Sequence, residues 1–138
     1  PLRRRDTELM QKDQINKLSG IILDCSIEVH RNLGPGLLES VYEVCLCKEL
    51  TLKGLKFQRQ VLLPVNYKGE NLDADYRIDL IVEDEIIIEL KSVELMNPVY
   101  EAQLLTYLKL ADKKLGLLIN FNVPRLIDGF KRMLNGYL

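Results

Sequence analysis

The chain has 138 residues, the size of a single domain. Its 47% hydrophobic and 28% charged residues are typical of a globular protein and exclude a disordered or low-complexity chain. No apolar run is long enough to cross a membrane, and no apolar segment follows the basic start at Arg3–Arg5, so we expect neither a membrane span nor a secretory signal. The net charge of −1 excludes the strongly basic composition that marks many nucleic-acid-binding domains.

The cysteines and the histidine do not form a zinc-binding pattern. The chain has three cysteines, Cys25, Cys45 and Cys47, and a single histidine, His30. These residues cannot supply the paired ligand spacings of a structural zinc site. Cys25 and Cys45 fall on predicted apolar helix faces, so we expect buried, reduced thiols and a cytoplasmic location.

The first half of the chain has helical periodicity. Apolar residues recur every three or four positions from Ile15 to Leu33, and Gly34 followed by Pro35 ends this helix. A second helix is predicted from about 37 to 53. Residues 1–12 precede the periodic segment, and we expect them to form a flexible basic arm.

The period then changes to two, which predicts strands over 57–67, 72–82 and 86–91. Pro64 indicates that the first strand lies at an edge or carries a bulge. Asn97 and Pro98 begin a helix that runs to about 111, and a continuous apolar strand follows over 115–121. The tail from Pro124 fits either a helix or an edge strand. The order α-α-β-β-β-α-β predicts a single mixed α/β domain.

One predicted hairpin places two carboxylates opposite each other. Counting outward from Asp84 pairs Asp79 with Glu89, and Lys91 points to the same face as Glu89. Like charges across a ladder destabilise it, and either Lys91 or a divalent cation held by both carboxylates would compensate. The cation would suit a metal-dependent phosphodiesterase. The alternative is a surface hairpin with an ordinary ion-pair cluster.

Asp79 and the Glu89–Lys91 segment, in this order of elements, resemble the PD-(D/E)XK nuclease superfamily. The segment from Gly36 to Tyr42 resembles the signature of the GxxExxY protein family within it, and the similarity covers about residues 21–121. Ile78 stands where the superfamily usually has proline. The resemblance implies a restriction-endonuclease-like αβββαβ core with a mixed central sheet flanked by helices, plus an extra N-terminal helix.

The resemblance also implies a function. It suggests a Mg²⁺- or Mn²⁺-dependent nuclease that acts on DNA or, as the less favoured substrate, RNA, with a second copy or a partner protein as further expected partners. It implies Lys91 as the catalytic lysine and four metal ligands: Asp79, Glu89, Glu39 and the carbonyl of Leu90. The expected substrate-positioning residues are Gln103 and Tyr107, which resemble a Gln-x-x-x-Tyr motif, together with His30 and Tyr42.

Each additional residue has a structural alternative. Glu39 could cap a helix, and Gln103 and Tyr107 border an apolar stripe on one helix face. Two other functions compete with the nuclease: a catalytically silent module that binds nucleic acid or protein, and a metal-dependent hydrolase of small phosphorylated substrates.

Overall fold

A computed structural model describes residues 3–138, apart from the side chains of Asp73 and Ala74. Within this range the chain forms α1 (Arg4–Leu33), α2 (Glu39–Leu52), β1 (Phe57–Tyr67), β2 (Glu70–Val82), β3 (Ile86–Lys91), α3 (Pro98–Ala111), β4 (Leu115–Asn120), a 3-10 helix (Leu126–Gly129) and β5 (Phe130–Leu134). The described helices include none that is long and apolar enough to cross a bilayer.

The strands form one mixed sheet. In the described residues it has five strands in the order β1-β2-β3-β4-β5, with β3 and β4 parallel and the other neighbours antiparallel. Helices α1 and α2 pack on one face of the sheet over a shared apolar cluster, and α3 packs on the other face over a second cluster. Because both faces are covered, β4 is buried throughout, which explains its continuous apolar sequence. The predicted restriction-endonuclease-like fold, with its additional N-terminal helix, is confirmed.

The start of α1 differs from the expectation of a flexible basic arm. The helix begins at Arg4, so residues 4–12 are helical; residues 1 and 2 lie outside the described residues. Ion pairs at helical spacing join Arg3 to Asp6 at 3.2 Å and Arg4 to Glu8 at 3.1 Å. Neither glycine nor proline interrupts the sequence between Arg3 and the packed part of α1, so the helix continues outward.

The tail adopts the edge-strand alternative. After the 3-10 helix, β5 pairs antiparallel with β4. Gly129 lies where the chain crosses close to that strand, since a Cβ built there would be 2.1 Å from the carbonyl oxygen of Asn120. Of the cysteines, all of which are free, Cys25 and Cys47 are buried, whereas Cys45 is only partly buried and not fully buried as predicted.

The first strand is an edge strand, as Pro64 predicts, and its register with β2 shifts between Pro64 and Val65. The uninterrupted alternation expected for β1 and β2 is wrong. Phe57 packs toward α1 and α2, whereas Val61 packs toward α3.

In β2 the side chains also switch from one face of the sheet to the other, at the residues that lie across from the switch in β1. Leu80 contacts the cluster beneath α1 and α2, but Ile78 contacts the cluster beneath α3. Regular alternation would place these two side chains on one face. At this level β1 contains Gln60, whose φ of 51° is in the left-handed region and breaks the regular alternation of that strand.

Candidate metal centre

The β2–β3 hairpin has the predicted register. Leu80 pairs with Ile88, and the ladder of paired residues ends there. One residue further along, side-chain carboxylates accept the hydrogen bonds between the two strands. The Asp79 N–H donates to Glu89 Oε1 at 3.1 Å, and the Leu90 N–H donates to Asp79 Oδ2 at 2.8 Å. Carboxylate oxygens therefore replace backbone carbonyls as acceptors, and the two carboxyls lie together where the strands separate.

Burial makes this carboxyl pair electrostatically unusual. Glu89 is only 8% exposed, and its burial, together with the charge of Asp79, raises its pKa to about 8. Burial also raises the pKa of Asp79, with further contributions from the charges of Glu43 and Glu39. The two carboxyls by themselves therefore favour holding a proton at neutral pH, and a cation bound between them would have to displace that proton.

Lys91 ends the same strand and opposes these shifts. Its positive charge lowers the pKa of both Asp79 and Glu89, although by less than burial raises them. The Lys91 Nζ lies 4.4 Å from the centroid of the Tyr100 ring, a cation–π contact that orients the side chain. The Lys91 carbonyl accepts a hydrogen bond from the Phe121 N–H at 2.9 Å, which fixes the end of β3 to the chain after β4.

The backbone of Leu90 points toward the carboxyl pair. Its side chain is buried in the core, and its N–H is bound to Asp79. The N–H and C=O of one strand residue point to the same side, so the Leu90 carbonyl also faces β2. This orientation agrees with the expectation that the carbonyl is available as an oxygen ligand.

Helix α3 places Tyr107 beside the carboxyls. Tyr107 is 8% exposed, and its pKa is raised by burial and by the charges of Glu89 and Asp79. Its ring is tilted against Tyr76, with 5.3 Å between centroids. Gln103 lies one turn earlier and is exposed. Nothing in the local sequence around Tyr76 indicates this contact with α3.

Glu39 lies near the carboxyl pair but not within it. It is exposed in the first turn of α2, whose N-cap is Leu38, and no side-chain capping bond is formed there among the described residues. The structural alternative for Glu39, in which its side chain caps the start of α2, is therefore not observed among the described residues. In the part of the chain that is described, no three side chains of His, Cys, Asp or Glu are grouped to hold a metal ion.

The sequence reasoning missed Glu43, a buried acid one turn after Glu39. Glu43 is 6% exposed, and its Oε2 accepts hydrogen bonds from Arg59 Nε at 3.1 Å and Nη2 at 2.7 Å. Its Oε1 accepts from Gln60 Nε2 at 2.6 Å. The four-residue spacing from Glu39, which puts both acids on one helix face, was the available signal.

Tyr42 and His30, which were expected to position the substrate, instead form hydrogen bonds to the backbone of loops. Tyr42 is completely buried, donates to the Gly34 carbonyl at 2.6 Å and stacks on Phe121 with 4.4 Å between ring centroids. His30 Nε2 donates to the carbonyl of Val123 at 2.7 Å. Both side chains join the helical layer to the loops beside β4, and neither contacts the carboxyl pair.

The donors present suit a hard divalent cation. Mg²⁺ prefers oxygen ligands and commonly uses one or two carboxylates together with water and substrate phosphates. Asp79 and Glu89 supply two adjacent carboxylates, and their mutual repulsion is what a cation would relieve. The residues therefore fit this group without a third side-chain ligand.

Comparison with known proteins gave one finding. The family model described as the PD-(D/E)XK nuclease superfamily matches residues 16–133, a range that includes every candidate site residue named above. Neither the curated proteins nor the solved structures contained a match. The geometry of Asp79, Glu89 and Lys91 agrees with this family match. The chain belongs to the PD-(D/E)XK nuclease superfamily.

Proposed function

We propose that the protein is a divalent-metal-dependent nuclease that hydrolyses phosphodiester bonds in nucleic acid, with DNA favoured over RNA. One observation carries the proposal: buried Glu89 and half-buried Asp79 lie side by side at the point where β2 and β3 separate, with Lys91 beside them. A buried acid whose pKa is raised both by burial and by the charge of a neighbouring acid costs stability. A purely structural or purely binding hairpin has no use for them.

Each residue has a role under this proposal. Asp79, Glu89 and the Leu90 carbonyl would hold Mg²⁺ or Mn²⁺, and exposed Glu39 would act through a bridging water. When bound, such an ion polarises a phosphate oxygen and lowers the pKa of a coordinated water. Lys91, oriented by the Tyr100 ring, would position the attacking water or stabilise developing negative charge.

The α3 residues suit substrate positioning. Tyr107 lies beside the carboxyls, while Gln103 is exposed one turn away and free to meet a bound strand. We assign His30 and Tyr42 an indirect part, since each holds a loop next to the site. The net charge of −1 gives little general attraction to phosphates, so a second copy or a partner protein would help to hold the nucleic acid.

We further propose that the chain belongs to the GxxExxY family. Three positions of that signature have separate physical roles here. Gly36 has a φ of 91°, which favours glycine, Glu39 projects near Asp79, and Tyr42 ties down the loop that contains Gly36. The free cysteines support a reducing, cytoplasmic location for this enzyme.

The proposal is tested by incubating the purified protein with plasmid, single-stranded DNA, RNA and a small phosphodiester, each with Mg²⁺ or Mn²⁺. We expect cleavage of a polymer that chelator abolishes and that the Lys91→Ala variant lacks. Binding of nucleic acid without cleavage would favour the silent module. Hydrolysis of the small diester alone would favour the hydrolase of small substrates.

A further inference from the structure

Apart from the register shift between Pro64 and Val65, the β1–β2 ladder is interrupted where Gln60 lies across from Asp79. The intact pairs on either side are Arg59 with Leu80 and Val61 with Ile78. Gln60 and Asp79 are not themselves a pair in the described ladder. Gln60 has a φ of 51°, a conformation that side chains other than glycine, asparagine and aspartate rarely adopt. Something must hold the backbone in this conformation.

Glu43 is placed to do so. Its buried carboxylate binds Arg59 through one oxygen and Gln60 through the other, at distances from 2.6 to 3.1 Å. One side chain of α2 therefore holds both the residue before the left-handed position and the left-handed residue itself. Both Glu43 oxygens accept hydrogen bonds from β1, so the carboxylate is held as a clamp on Arg59 and Gln60.

The interruption has a consequence for Asp79. Released from regular pairing with β1, Asp79 turns toward β3, where its carboxylate accepts the Leu90 N–H and its own N–H donates to Glu89. The side chains on either side of Asp79, Ile78 and Leu80, consequently lie on opposite faces of the sheet. The hairpin register already sets Asp79 across from Glu89, and the turn in β2 lies directly beside the Asp79 carboxylate that accepts the Leu90 N–H.

We propose that Glu43 is a positioning residue: by holding the left-handed backbone at Gln60 it stabilises the turn in β2 that fixes the Asp79 carboxylate on the Leu90 N–H, beside Glu89. This inference deepens the proposed function, since it says how that metal centre is assembled. Its geometric part concerns the chain alone and does not depend on cleavage of nucleic acid.

The test compares Glu43→Ala with the double variant Glu43→Ala/Gln60→Gly. Glycine adopts the left-handed conformation without steric cost, so Gln60→Gly should restore the backbone that the lost clamp no longer holds. The first readout is hydrogen exchange of the Leu90 amide, measured by NMR in chelator. The second is the Kd for Mn²⁺ from calorimetric titration. Glu49→Ala, which removes an acid from the same helix, is the matched control.

In Glu43→Ala we expect the Leu90 amide to lose its protection and the Mn²⁺ Kd to rise by roughly 10–100-fold, as when outer-sphere partners are removed. The double variant should regain protection and bind within a few-fold of the parent. A folded Glu43→Ala with unchanged Leu90 exchange would overturn the inference, as would a double variant no better than the single one. If Glu43→Ala does not fold, Glu43→Gln with and without Gln60→Gly carries the same comparison.

The two readouts separate the proposals. If the parent binds no Mn²⁺ but the Leu90 exchange follows the expected order, the metal-dependent function is wrong and the positioning role of Glu43 stands. If Mn²⁺ binds the parent and Glu43→Ala equally well, the function survives and the positioning role is wrong.

Discussion

Replacing Glu89 with glutamine should stabilise the protein at neutral pH when chelator is present. In the folded protein, burial beside Asp79 raises the pKa of Glu89 from 4.5 to about 8. A carboxyl with a raised folded-state pKa stabilises the fold most below its unfolded value, and that contribution is lost as the pH rises toward the folded value. The parent should therefore lose stability between pH 4.5 and 8, and glutamine, which does not titrate, should not.

The size of the effect follows from the same shift. One pKa unit corresponds to about 1.4 kcal/mol, so at pH 7, where Glu89 is ionised in the unfolded chain but holds a proton in the fold, its shift opposes folding by on the order of 3 kcal/mol. Glutamine has the same length and retains an oxygen that can accept the Asp79 N–H, so the hydrogen bond seen at 3.1 Å is kept. Its amide can also donate to the Asp79 carboxylate, which removes the repulsion without creating a cavity.

Urea unfolding followed by circular dichroism, in EDTA at pH 4.5, 6 and 8, measures the difference between parent and variant. We expect almost no difference at pH 4.5 and a growing advantage for Glu89→Gln above it. Glu70→Gln, which removes an exposed charge at the far end of β2, should show no such trend. A parent–variant difference independent of pH, or a Glu89→Gln protein less stable at pH 8, would refute this reasoning.

Three further outcomes are expected. Lys91→Ala should retain Mn²⁺ binding by calorimetry but lose roughly 10²–10⁴-fold in cleavage rate; unchanged turnover would remove Lys91 from the mechanism. In chelator, Asp79→Asn should be as stable as the parent or more stable by about 0.2–1 kcal/mol, so it should melt at or above the parent's temperature. In saturating Mn²⁺ it should melt below the parent, because it binds the ion less well. An equal Mn²⁺-induced rise in melting temperature for both proteins would show that Asp79 is not a ligand. In the same urea assay, Gly129→Ala should lower the free energy of unfolding by roughly 2 kcal/mol or more, because its Cβ would overlap the Asn120 carbonyl. Its control is Gly20→Ala, which has open space around it in α1 and should raise the free energy of unfolding by about 0.5–1 kcal/mol.

The sequence was sufficient for the order of the elements up to β4 and for the hairpin register. A short turn between two apolar strands leaves few ways to pair them, so Leu80 and Ile88 could be matched by counting. The two-residue period then fixed Lys91 on the side of Glu89. Both inferences depend only on local geometry.

Features that depend on contacts between distant segments could not be predicted. The left-handed conformation of Gln60 leaves no mark in the pattern of apolar residues, so β1 and β2 were expected to alternate without interruption. The importance of Glu43 appears only when α2 is packed against β1 and Arg59 comes within 2.7 Å. The need for glycine at position 129 likewise follows from its closeness to Asn120 across the fold.

The most direct measurement of the central claim is an anomalous difference map from a crystal of this protein soaked in Mn²⁺. The account predicts one strong peak between the carboxylates of Asp79 and Glu89, within ligand distance of both and on the side of the Leu90 carbonyl. The same soak of Asp79→Asn should lack the peak or show it much weakened. A parent crystal with no density between these carboxylates, or with Mn²⁺ bound only elsewhere, would contradict the assignment of this pair as a metal centre.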